Sequence, residues 1–86
     1  YPLMHTHSGF IGMVAPVLLQ VRGLRAVQVS LDWPAGPGVI ELLRVFQLLN
    51  EQLPLIITGG LTQVELDLLL KHLSPRGLCL QVDIHP

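Results

Sequence analysis

Eighty-six residues are enough for one apolar core and well short of two, so the chain reads as a single domain. Half of the residues are apolar and only 13% are charged, which excludes a disordered segment and leaves a lean charged surface for a partner to meet. A net charge of −1 with five scattered basic residues gives no basic stripe for nucleic acid, and the lone Cys79 excludes both an internal disulfide and a cysteine-based metal site.

Residues 1–9 show no apolar periodicity and end in Ser8-Gly9, so they are expected to be a flexible segment, with a single α/β domain over residues 10–86. From Phe10, Met13, Val14, Val17 and Val21 recur at helical spacing; Pro16 fits the first turn of a helix, and Gly23 ends it. Residues 25–32 alternate, with Val27, Val29 and Leu31 on one face and Gln28, Ser30 and Asp32 on the other, the pattern of a half-buried strand. Two prolines and two glycines between Trp33 and Gly38 then force a turn.

Val39, Leu42, Leu43, Phe46 and Leu49 form the clearest helical stripe, with Glu41 at the positive end of the dipole. Pro54 closes that helix, and Leu55-Ile56-Ile57 reads as a short interior strand stopped by Gly59-Gly60. Residues 61–73 support two readings. Val64, Leu66 and Leu68 alternate with Gln63, Glu65 and Asp67 at strand period, whereas Thr62 with Glu65 makes a capping box before a helical face of Leu66, Leu69, Leu70 and Leu73. The helix is preferred because the leucines after Asp67 abandon alternation. After the turn at residues 74–77, Leu78, Leu80, Val82 and Ile84 alternate with Cys79, Gln81, Asp83 and His85 as a last strand. The expected order is α-β-α-β-α-β, an α/β two-layer sandwich with helices on one face of a small open sheet. Val27, Val29, Leu31, Phe46, Ile56, Leu80 and Val82 are expected in the core.

The chemistry-bearing residues form no complete constellation. His5-Thr6-His7 resembles the opening H-x-H of the PHP-type and amidohydrolase metal-dependent hydrolases, because imidazoles two apart on an extended segment can share one metal. The alternative to that hydrolase reading is a terminal segment with incidental histidines. His72 beside Lys71 reads as solvated, and His85 is near-terminal. Thr58-Gly59-Gly60 between a strand and a helix has the composition of a phosphate cradle in a small-molecule regulatory domain, or of a plain strand-ending turn. Ser8, Ser30 and Ser74 lack a nucleophile elbow, and Cys79 lacks an activating neighbour. Asp32, Asp67 and Asp83 are read either as an acidic cluster at strand ends or as an exposed polar surface. Trp33 either staples the local core or anchors a partner.

Several hydrophobic patterns together resemble the periplasmic domains of PilO-like and M-type general secretion proteins, inner-membrane assembly proteins of type IV pili and type II secretion. They are the helix over residues 14–23, the strand over 25–32 leading into Val39–Gln52, LPLIITGGLTQ at 53–63 and GLCLQVDI at 77–84. The resemblance implies a ferredoxin-like fold and a non-enzymatic assembly module that forms a homodimer or pairs with a related ferredoxin-like domain. It also implies a location on the periplasmic face of the inner membrane, with a membrane anchor of the parent chain outside this segment. In that reading no residue is catalytic, cofactor-binding or metal-ligating, and no cofactor is expected. The runner-up architecture is β-α-β-α-β with right-handed crossovers, as in a fragment of a larger barrel or solenoid.

Overall fold

The computed structural model describes residues 3–7, 20, 24–32 and 38–85. Their elements run β1 (Leu3–His7), β2 (Ala26–Leu31), α1 (Val39–Gln52), β3 (Leu55–Thr62), α2 (Gln63–His72) and β4 (Leu78–His85). The four strands form one parallel sheet in the order β1-β2-β3-β4, so each strand lies beside its neighbour in sequence.

The strands and helices follow from the patterns that suggested them. On β2, Val27, Val29 and Leu31 are buried while Gln28 and Ser30 are half-buried on the reverse face. α1 buries Val39, Leu42, Phe46 and Leu49, the predicted stripe, and ends where Leu53 takes an extended conformation before Pro54. Residues 63–72 are helical: Thr62 Oγ1 accepts from the Glu65 N–H at 3.2 Å, and Glu65 reaches back to the Thr62 N–H at 2.9 Å. That reciprocal cap is the local device that decides between the two periodicities.

Both helices pack on the same face of the sheet. Phe46 and Leu49 of α1 and Leu69 of α2 share one core with Val27, Val29, Leu55, Ile57 and Leu61. The expected two-layer α/β arrangement is therefore present, but its strands are all parallel, where a ferredoxin-like sheet is antiparallel. Parallel pairing follows from the connections: α1 and α2 each carry the chain back to the starting end of the sheet.

Four local expectations are corrected. Leu3–His7, placed in a flexible segment 1–9, is β1 and pairs with β2. Ile56, expected in the core, lies on the face away from the helices and is half-buried, while Leu55 and Ile57 on either side are fully buried. Leu80 and Val82 are likewise only partly buried, packed against the core from the edge strand β4. Gly59-Gly60 does not stop β3, which runs on to Thr62. The helix expected to end at Gly23, and Trp33 with its turn, lie outside the described residues.

Gly59 is required by a close approach. Its φ is +106°, and a Cβ there would sit 2.5 Å from the Leu31 carbonyl oxygen. β2 and β3 keep their register at this point only because the side chain is missing.

Candidate functional site

The face of the sheet away from the two described helices carries the polar residues, and the parallel register sorts them into rows. One row is Gln28, Ile56 and Cys79; the next, toward the carboxyl ends of the strands, is Ser30, Thr58 and Gln81. Gly60 pairs with Asp83, and Asp32 directly follows Leu31, the last residue of β2 and the partner of Gly59. Adjacent strands lie about 4.8 Å apart, so the backbones at Asp32 and Asp83 stand about 10 Å apart with a side-chain-free Gly60 between them. Asp32 and Asp83 thus lie toward the carboxyl ends of β2 and β4, on either side of β3. Open α/β sheets bind ligands at that edge, and a carboxylate pair at that spacing can serve proton transfer on opposite sides of a small molecule. Asp32 is half-buried and Asp83 exposed.

The other predicted residues are dispersed. Asp67 is on the exposed side of α2, where its carboxylate accepts from Gln63 Nε2 at 2.9 Å, so it takes no part in the strand-end pair. His72 is exposed at the end of α2. Ser74 donates its N–H to Asn50 Oδ1 at 2.8 Å, at the opposite end of the molecule. Cys79 is exposed on β4, 3.8 Å from the Gln81 side-chain nitrogen. His5 and His7 lie on β1, in register with Gln28 and Ser30 of β2. Among the described residues no group of three or more His, Cys, Asp or Glu is placed to hold a metal. Thr58, Gly59 and Gly60 belong to the strand ladder, so neither the plain strand-ending turn nor the phosphate cradle weighed against it is formed there.

Glu65 does more than cap its own helix. Its Oε1 accepts from the Thr62 N–H at 2.9 Å and the Thr62 hydroxyl at 3.2 Å. Its Oε2 accepts from the Val39 N–H, the first of α1, at 3.0 Å. Burial opposes ionisation of this carboxyl, but the Thr62 N–H, then the Val39 N–H and the Thr62 hydroxyl, outweigh it and hold the pKa below the ordinary value of 4.5. Only the Thr62–Glu65 spacing was legible in sequence; the reach to Val39 needed the tertiary packing of α1 beside α2.

A further hollow lies elsewhere. An open cleft of about 450 Å³ lies at the amino ends of the strands, lined by Asn50, Leu53, Pro54, Ser74, Arg76 and Gly77. Asn50 is already engaged there by both its amide groups with the Ser74 backbone. With its polar anchor spent on joining α1 to the turn after α2, that end reads as structural, and the carboxyl edge is the better site.

A parallel sheet in strictly sequential order, with its helices on one face, is the class of βα-repeat architecture used by (β/α) barrels and one-sided solenoids. The N-(5'-phosphoribosyl)anthranilate isomerase of Pyrococcus abyssi (strain GE5 / Orsay) is 31% identical to the chain over 62 residues. Those residues are 72% of this chain and 30% of that protein, so the chain spans less than a third of the length of the curated relative it matches. No protein-family profile matches the chain, and no solved structure does. The relative is named as an isomerase, an enzyme.

Proposed function

We propose that the chain is a βα segment of a barrel-type sugar-phosphate isomerase, with its reaction site at the carboxyl edge of β2, β3 and β4. The single observation that carries the reading is the sequential one-sided parallel sheet in a chain similar to a phosphoribosylanthranilate isomerase. Isomerising a sugar moves a proton from one carbon while another is delivered to oxygen, so it needs a base and an acid on either side of the substrate. Asp32 and Asp83, one strand out from Gly60 on each side, supply that pair, and Gly60 leaves room for the substrate between them.

The test is turnover of N-(5'-phosphoribosyl)anthranilate by the parent protein, followed by NMR of the sugar carbons. Replacing Asp32 with Asn is expected to lower kcat by about 100-fold or more with the fold intact. Absence of turnover in the parent protein, or an Asp32→Asn variant with unchanged kcat, removes the reading.

A second reading is the dimerising assembly module implied by the secretion-protein resemblance. It rests on β4, the edge strand of the described sheet, where Ile84 is 52% exposed. Sedimentation equilibrium separates the two: a reversible dimer that Ile84→Lys dissociates supports assembly, and a monomer at all concentrations discards it.

A further inference from the structure

The sheet is sealed unevenly on its helix side. β3 lies under both helices, and its residues Leu55, Ile57 and Leu61 are fully buried. Their register partners on β4 are Leu78, Leu80 and Ile84. Leu78 and Leu80 are only half-buried and Ile84 is 52% exposed, because α2 is the described helix that packs over that strand. Around α2, Glu65 reaches α1 through the Val39 N–H, and Leu69 is buried against the sheet. Continuing in the same sense at about 100° per residue brings Leu66 and Leu70 to the side away from α1, where Leu70 is 60% exposed. The strand beneath is the last of the described sheet on that side. The Leu55 N–H donates to the Gly77 carbonyl at 2.8 Å. Backbone groups alternate in direction along a strand, so the amides of Cys79 and Gln81 face β3 and those of Leu80, Val82 and Ile84 face outward.

An apolar helix side above an outward-facing strand edge calls for backbone partners and apolar cover together, and a lone helix supplies only the second. One parallel strand followed by a helix supplies both. It is also the unit by which this sheet grows, since β2-α1-β3 and β3-α2-β4 each set the next strand on that same side. The matched stretch is 30% of the isomerase that it resembles, so a protein of that length has room for further such units. We propose that the outer edge of β4, with Leu66 and Leu70 of α2, is the docking surface for one further parallel strand and its helix, supplied by the parent protein. The inference rests on the barrel reading above for the source of that unit. Docking turns β4 from an edge strand into an interior one, so Asp83 then stands between two strands and not at the rim of the sheet.

The test is amide hydrogen exchange followed by NMR on the isotopically labelled parent protein, at high concentration and after dilution. Cys79 and Gln81, which face β3, are slow in either case and serve as the internal reference. The outward amides of Leu80, Val82 and Ile84 are expected to exchange within about tenfold of that reference at both concentrations. They are also expected to show nuclear Overhauser contacts to a parallel strand later in the same chain. Exchange at the three outward amides more than about tenfold faster than the reference means a free edge and overturns the proposal. Protection that disappears on dilution, or contacts to a strand of another molecule, gives the edge to a second copy of the chain and overturns it as well. No substitution is needed, so a variant that fails to fold cannot obscure the result. Turnover is not measured, so a free edge and a failed reaction are separate outcomes.

Discussion

On the face of the sheet under the helices, Val27, Val29, Leu55, Ile57 and Leu61 are fully buried. On the other face β2, β3 and β4 present Gln28, Ser30, Ile56, Thr58, Gln81 and Asp83, all half-buried or exposed. Parallel sheets are ordinarily covered on both faces, and their strands then read as continuous apolar runs. β2 and β4 alternate instead. The difference teaches that the open face is kept polar in an architecture that favours apolar residues there, and its polarity rises toward the carboxyl edge, where Asp32 and Asp83 flank Gly60. One face holds the fold together, and the other carries the polar side chains of the sheet.

The sharpest test of that contrast uses two neighbouring isoleucines. Ile57→Ala removes a fully buried side chain from the covered face and is expected to cost about 3 kcal/mol in denaturant unfolding. Ile56→Ala, on the open face one residue away, is expected to cost about 1 kcal/mol because the site is already half-solvated. Equal losses would mean that the open face is as well packed as the covered one, and would break the comparison.

Gly59 tests whether the two faces are joined by a fixed register. Alanine there combines a positive φ with a Cβ 2.5 Å from the Leu31 carbonyl oxygen, so β2 and β3 must separate locally. The expected cost is about 2 kcal/mol, read as a lower thermal midpoint. Gly77→Ala is the control: its φ of +73° is also unfavourable, but its Cβ would meet nothing nearer than 3.6 Å, and a smaller loss of about 1 kcal/mol is expected.

The sequence carried much of this architecture and little of its connectivity. α1 was legible because its stripe of Val39, Leu42, Phe46 and Leu49 is regular and its stop is chemical, at Pro54. β2 and β4 were legible from alternation. Alternation does not encode strand direction, however, and the parallel order follows only from the helical crossovers. The run Leu55-Ile56-Ile57 has no alternation, so nothing local distinguished the buried Ile57 from the half-buried Ile56. Gly59-Gly60 looked like a strand stop because glycine disfavours strands through lost entropy and lost packing; at Gly59 the absent Cβ is what lets the strand continue. The carboxylates Asp32 and Asp83 were visible as strand-end residues, but their placement on either side of Gly60 is a matter of register, which single-strand patterns do not contain.

The smallest expected effect concerns the seam between the two βα units at that edge. Glu65 is held below its ordinary pKa in the folded chain, so its ionised bonds to Thr62 and Val39 stabilise the fold above the unfolded value of about 4.5. As pH falls through the lower folded value, the carboxylate takes up a proton, one acceptor becomes a donor, and the contribution is lost. The group is only partly buried, so solvent screening limits the loss to less than about 1 kcal/mol. Denaturant midpoints measured from pH 6 to pH 3 on the parent chain and on Glu65→Gln are expected to differ most at pH 6 and to converge on acidification. A difference that instead grew as pH fell would place the stabilising charge on another carboxylate and leave Glu65 as a cap for α2 alone.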